Sequence, residues 1–474
     1  MNFFQRMERK YLLSPKILFF VVNMQFYTLH LMRGPFLKQQ FGFSDKTYGR
    51  NVGIILALAF FGTLFIASLN DRFNRPKVFI ISLILISTVF FQILCLNFTK
   101  KLATFIIWCI FTFYTLFASS IQPFLDKTTL DIINSFGGLG LEVYGRQRLF
   151  GTLGYVVTNY IVEFISASST SSKKDYSNLP KYQLFTTALA VVVAITFINI
   201  QPTRTTVSTR QLSGEWKSLL TNIPYMFFIL IIFLNGITRA GMTLYLTIYL
   251  QDVLKLKPLG LPNWMPNFLA YPINFFSHQT VATAALFGVV FEILVFFFSK
   301  KVLKTIGLFW PLLIAQVAQL IRFMGYYFLP VDSDYAYGLV CLLETMKGVN
   351  FGFTHTSGVQ IANSFCPDHL RSTSQMIYSG TFVGLATAIS GFLFGMVFSS
   401  KDLKDKNMPR EKKIGQFKNF FFINIGLTLF TILLFVIKYG AIDGILWKVF
   451  TKEEKKETDK VIIEEDAESI PINK

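Results

Sequence analysis

Asp126, Arg148, Arg239, Arg322, Glu344 and Lys347 are ionisable side chains set inside long apolar stretches of this chain. A charge in hydrocarbon costs several kcal/mol unless it is paired or hydrated, so such groups mark either ion pairs or a polar path. Their spacing indicates which can meet. Asp126 and Arg148 each lie eleven positions from residue 137, in the middle of a Gly-rich turn. Arg322 and Glu344 each lie eleven positions from residue 333, between Asp332 and Asp334. Around a tight helical hairpin, residues equally far from the turn share a height, because each residue rises about 1.5 Å. Each pair can therefore meet, either as a lock between neighbouring helices or as part of a site. Lys347 stands one turn beyond Glu344 and can share its charge.

These residue types suit recognition of a polar solute. An arginine presents a planar fork of donors to hydroxyl or carboxylate oxygens, while an aspartate accepts hydrogen bonds and orients the arginine. A carboxylate parted from its partner in low dielectric takes up a proton, which makes Asp126 and Glu344 the two candidates for proton coupling. If both stay paired, the protein only equilibrates solute. Asn23, Gln25 and His30 in the first apolar stretch, with Asn235 and Arg239 in the seventh, add up to a hydrated central path. Spacing names no partner for Glu292.

Other chemistries are excluded. No Gly-rich loop is followed by Lys-Ser/Thr, and Gly137-Gly138-Leu139-Gly140 lacks the lysine of a phosphate cradle. The four histidines are scattered, and Asp126 and Asp131 are spaced poorly for convergence on a metal. Cys95, Cys109, Cys341 and Cys366 have neither metal spacing nor a disulfide framework. Neither an enzyme nor a metal or other cofactor is expected.

The elements that must position these residues are membrane helices. Of 474 residues, 52% are apolar and 15% charged, where a soluble protein carries about a quarter charged residues. Mean hydropathy is +0.48. Apolar runs long enough to span a bilayer recur throughout, and period-two alternation is absent. Twelve spans are expected, near 16–38, 47–69, 77–97, 102–132, 145–166, 183–201, 223–250, 280–299, 306–329, 335–362, 373–398 and 418–438. The reading is an all-α membrane protein with twelve transmembrane helices in two six-helix bundles, 1–201 and 223–440. A polar linker at 202–222 joins them, and a charged, disordered tail follows at 441–474. The net charge of +18 sits mostly between spans, where it orients helices and meets lipid headgroups, so no nucleic-acid partner is expected. Lys/Arg bias puts both termini in the cytosol, with the Lys-rich loop 399–417 opposing it.

Two motifs carry a family resemblance. Ser68-Leu69-Asn70-Asp71-Arg72-Phe73-Asn74-Arg75-Pro76-Lys77 resembles the major facilitator signature loop Gly-x-Leu-x-Asp-Arg-x-Gly-Arg-Lys. Asp71, Arg72 and Arg75 match, while Ser68 and Asn74 replace glycines and Pro76 replaces a basic residue. The resemblance implies a gating role for these three residues, with Asp71 facing the start of the eleventh helix near Arg371-Ser372-Thr373. Tyr144-Gly145-Arg146-Gln147-Arg148-Leu149-Phe150-Gly151-Thr152-Leu153-Gly154 resembles the fifth helix of the lactose-permease-like branch, and Leu370-Arg371-Ser372-Thr373-Ser374-Gln375 its loop into helix eleven. In lactose permease the matching carboxylate and arginine bind sugar, and they fall on Asp126 and Arg148. The aromatic that stacks on the sugar falls on Tyr155. The tenth-helix proton pair falls on Lys347 and Asn350, which departs from that permease.

The expectation is a monomeric secondary transporter that moves a small polar organic solute, such as a sugar or nucleoside, by alternating access with proton coupling. Asp126, Arg148, Tyr155, Asn23 and Arg239 are its candidate binding residues, and Arg322, Glu344 and Lys347 its coupling or ion-pair residues. The rival is a nutrient sensor that binds solute on the same fold without moving it.

Overall fold

The computed structural model describes residues 11–73, 75–135, 141–167, 175–198, 216–258, 265–366, 370–398 and 409–448. The tip of the Gly-rich turn, most of the expected linker and the tail beyond residue 448 lie outside the described residues. Among the described residues there is helix and no strand. In chain order the α-helices are α1 Leu13–Phe26, α2 Arg33–Phe41, α3 Asp45–Phe73, α4 Pro76–Cys95, α5 Thr104–Ser135 and α6 Leu141–Ile165. There follow α7 Leu179–Phe197, α8 Trp216–Thr221, α9 Ile223–Ile248, α10 Asn267–His278, α11 Thr280–Ile306 and α12 Phe309–Phe328. The chain ends with α13 Ala336–Ser364, α14 Arg371–Ser379, α15 Ala386–Val397, α16 Arg410–Val436 and α17 Ile445–Lys448.

Every expected span falls on helix, and the protein is an integral, multi-pass membrane protein. Seven of the described helical segments are long and apolar enough to cross a bilayer by themselves. The first, second, fifth, ninth and tenth spans are not among them, being interrupted or polar, and they include the stretches that carry Asn23, Arg148, Arg322, Glu344 and Lys347.

Several spans differ from the plain helices expected, among them the twelfth, which ends in a π-helical turn at Ile437–Ile442. The first breaks after Phe26 into a 3₁₀ turn, Tyr27–Leu29, before α2 resumes the path. The seventh ends in a wide π-helical turn, Tyr249–Leu254, and the eleventh is split by another, Gly380–Leu385. The stretch 251–279, expected as a loop, contains α10, whose Phe268 and Tyr271 are exposed; such rings suit the membrane–water interface. Local chemistry sets many boundaries. Gly42, at φ 72°, ends α2 in a conformation that costs a side chain energy. Pro76 opens α4, where its missing N–H has no intrahelical partner to lose.

The chain gathers into two compact units. The first comprises Met1–Ser208, Thr243–Thr283 and Thr387–Met408, so it holds the first six spans with the end of the seventh, the start of the eighth and the end of the eleventh. Leu18 and Val22 of α1, Ile84 of α4, Leu125 of α5 and Ala194 of α7 centre its core. The second unit comprises Thr209–Met242, Ala284–Ala386 and Pro409–Lys474, with Phe228, Ile232, Leu312, Ile361 and Phe435 in its core.

Glycines let helix backbones touch where no hydrophobic force drives association. In the first unit, Gly49 and Gly53 of α3 face Gly391 of α15. A Cβ on Gly53 would stand 2.9 Å from the Thr387 carbonyl oxygen and 3.1 Å from Gly391 Cα. Gly53→Leu should destabilise the protein by about 1–3 kcal/mol through overpacking, read as a lowered thermal midpoint in detergent. Gly415→Ala, placed in open space, should stay at the wild-type midpoint.

Candidate functional site

Within the first unit, the break in the first span presents a group of rings. Tyr27 and Tyr155 meet edge-to-face at 4.7 Å between centroids, Tyr27 and His30 at 5.2 Å, and His30 and Tyr155 at 6.0 Å. Phe26 closes on Tyr27 at 4.7 Å. The 3₁₀ turn is what turns Tyr27 and His30 towards α6; in it, Thr28 returns its hydroxyl to the Met24 and Gln25 carbonyls at 3.2 and 2.9 Å. Tyr155 is half-buried and His30 exposed. Arg148, also exposed, sits seven residues before Tyr155, which places both on one face of α6 about 10 Å apart along the axis. Asp126 is half-buried on α5 and accepts a hydrogen bond from Gln122 Nε2 at 3.3 Å.

Asn23 takes a different place from the one expected of a binding residue. It is buried, its Nδ2 donates to the Phe19 carbonyl at 2.8 Å, and a Cβ on Gly151 would come within 2.8 Å of that nitrogen. The side chain thus serves the packing of α1 on α6.

In the second unit Arg322 and Glu344 meet. Arg322 Nη2 and Nε donate to Glu344 Oε1 at 2.7 and 3.1 Å, and the Tyr326 hydroxyl donates to the same oxygen at 2.8 Å. Both charged side chains are buried. Tyr326 escaped the sequence reading although it stands one turn after Arg322 on the same face of α12. Lys347 lies in the electrostatic field of Glu344, Arg322, Glu292 and Arg239. Arg239 is half-buried with its guanidinium 4.6 Å from the centre of the Phe382 ring, a cation–π arrangement. Asn350, on the lactose-permease coupling position, donates to the Ala315 carbonyl at 2.8 Å.

Among the polar contacts of the first unit that join remote spans, two that carry charge had no signature in spacing. Lys38 Nζ lies 2.7 Å from Asp45 Oδ1 and donates to Asp252 Oδ2 at 2.7 Å. Glu163, near the end of α6, accepts from the backbone N–H groups of Val281 at 3.2 Å and Ala282 at 2.7 Å, the opening residues of α11. Glu163 is a carboxylate inside a span, the one signal that could have singled it out. Of the motif residues, Asp71 and Arg72 lie in the last turn of α3, with side chains outside the described residues, and Arg75 is exposed before α4. Among the described residues no cluster of His, Cys, Asp and Glu could hold a metal.

The family described as MFS_1 like family matches residues 12–260 and 263–406. No curated protein sequence matches significantly. Among solved structures, the nucleoside transporter NupG is similar at 15% identity and a TM-score of 0.70, covering 90% of this chain and 98% of that one. A bacterial homolog of the human lysosomal transporter Spinster, inward-facing and occupied, is similar at 16% identity and a TM-score of 0.56, covering 94% and 98%. An auto-inhibited POT family peptide transporter is similar at 11% identity and a TM-score of 0.56, covering 89% and 95%. At such identities these likenesses speak to fold.

The Arg322–Glu344–Tyr326 group yields a prediction. Glu344→Leu leaves a buried guanidinium unpaired and should cost about 3–5 kcal/mol, whereas the double variant Arg322→Met/Glu344→Leu should recover most of it. Thermal unfolding in detergent measures both.

Proposed function

The chain belongs to the MFS_1-like family of the major facilitator superfamily of membrane transporters, and from that premise we propose that it is a secondary transporter for a nucleoside-like solute. It works by alternating access, with the two six-span halves of the sequence as moving parts and protons as the coupled ion. The observation that carries the substrate class is the ring group at the break of the first span. Tyr27, His30 and Tyr155 offer faces and edges to a flat heterocycle. Arg148 and Asp126 supply a donor fork and an acceptor for ribose hydroxyls. Discontinuous helices are where transporters of this architecture place solute, because an interrupted backbone is tolerated only where protein or water satisfies it. The likeness to a nucleoside transporter supports the same class, although fold alone does not set substrate.

In the second unit Arg239 is proposed as a binding residue, and Lys347 with Arg322 and Glu344 forms the polar interior of the later spans. Asp71, Arg72 and Arg75 act as the cytosolic gate, with both termini on that side.

Two experiments test this reading. Purified protein in proteoliposomes should exchange labelled nucleoside for internal unlabelled nucleoside. Saturable binding without exchange would contradict transport and favour a sensor. Calorimetry should show Arg148→Lys weakening nucleoside binding at least tenfold and Tyr155→Leu weakening it by about two- to tenfold, the worth of a lost ring contact. Wild-type affinity in folded Arg148→Lys would remove that residue from the site.

A further inference from the structure

We propose that Glu163 is a proton-binding site whose occupancy is tied to opening of the end of the protein where the fifth and seventh spans finish and the eighth begins. The inference rests on the alternating-access reading above. Glu163 is 1% exposed, and each of its carboxylate oxygens accepts one backbone N–H, from Val281 and from Ala282. Those donors belong to the first turn of α11, whose N–H groups have no intrahelical partner and carry the positive end of the helix dipole. Two charge-assisted hydrogen bonds to a dipole end tie the carboxylate to the start of α11.

What distinguishes Glu163 from Glu344, also buried, is where its partners lie. Glu344 is held by Arg322 and Tyr326, which stand on the preceding span of its own half of the sequence and travel with it. Glu163 sits in the first half of the sequence, and its two donors sit in the second. When the halves part at this end, Glu163 loses these two donors and takes a proton from the solvent on that side to become a carboxylic acid. No other bond changes. The reverse coupling follows from linkage: protonation removes the charge that the α11 N-terminus holds, so low pH on that side favours the open form.

The groups around Glu163 support this placement. Tyr176, in the connection before α7, is buried in the fields of Asp252 and Glu163, and burial pushes its phenol up from its ordinary value, so it stays neutral. Tyr160, one turn before Glu163, shares a hydroxyl–hydroxyl hydrogen bond with Thr283 at 3.0 Å. His278, exposed at the end of α10, has its ring Nδ1 2.8 Å from the Asn274 carbonyl oxygen. Lys38, Asp45 and Asp252 make a further charged contact in the first unit, and Asp252 is the group whose titration must be separated from that of Glu163.

Spin labels on Gln39→Cys and Lys257→Cys, both exposed, report separation at this end once the four native cysteines are replaced. Distance distributions are recorded between pH 5 and 8, with and without nucleoside. The expected result is two populations, the longer one growing as pH falls by at most tenfold per pH unit for one proton. In Glu163→Gln the ratio should be independent of pH and biased to the longer distance, while Asp252→Asn should keep the pH dependence. Glu163→Asp, which retains the charge with a shorter reach, should still titrate with a smaller closed fraction at every pH. A Glu163→Gln protein that titrates like wild type, a wild type with no pH dependence, or a Glu163→Asp protein identical to wild type overturns the proposal. A single distance under every condition, with or without nucleoside, counts instead against alternating access itself.

Discussion

A bilayer supplies no water to a buried polar group, so each such group in the spans must find its partner in the protein. The polar network of the first unit meets this need in part, since Gln25 Oε1 and Gln183 Nε2 have no hydrogen-bond partner among the described residues. Gln25 donates to Ser87 and Thr88 at 3.3 Å each, Thr88 and Thr187 share a hydrogen bond of 2.7 Å, and Gln92 donates to Gln183 at 3.2 Å. Through these contacts the first, third and sixth spans hold one another without leaving their half of the sequence. The Arg322–Glu344–Tyr326 group does the same for the ninth and tenth spans. Interactions confined to one half stiffen it as a body. Lys38–Asp252 and the Glu163 carboxylate at α11 belong to a smaller class, because each joins residues from opposite halves of the sequence. Under the proposed alternating access, movement of the halves would preserve the first class and break the second.

This division explains how much could be read from the sequence. The helical spans follow from hydropathy, and the meeting of Arg322 with Glu344 follows from hairpin arithmetic, because the two spans are consecutive and joined by a short turn. The same arithmetic is silent about Glu163 and α11, or Lys38 and Asp252, whose spans are remote in the chain. Spacing is also silent about bonds within one helix: the Asn23 amide donates to the carbonyl of Phe19 four residues earlier. The break at Tyr27–Leu29 has no proline or glycine within it to announce it, and Thr28 contributes only through its hydroxyl bonds to Met24 and Gln25. The amphipathic α10 was hidden by the prolines around it.

The proposed site and the proposed proton carboxylate occupy one helix. Arg148 and Tyr155 stand on one face of α6, and Glu163 follows eight residues after Tyr155, about 12 Å further along the axis. A shift of α6 that engages solute at its middle therefore acts at the same time on the α11 N-terminus held at its end. That physical connection is a reason for solute and proton to influence each other without direct contact, in the sense of a coupling free energy between two sites.

The most direct test of this account is hydrogen–deuterium exchange of the membrane-reconstituted protein with and without nucleoside. Amides of Val281 and Ala282 lack intrahelical partners and are held by Glu163, so their exchange reports whether that contact is made. The account predicts that nucleoside changes exchange in the segment 276–284 while exchange around Arg322 and Glu344 stays constant. Equal changes in both regions, or none in 276–284 at saturating nucleoside, would contradict the separation between contacts that move and contacts that hold.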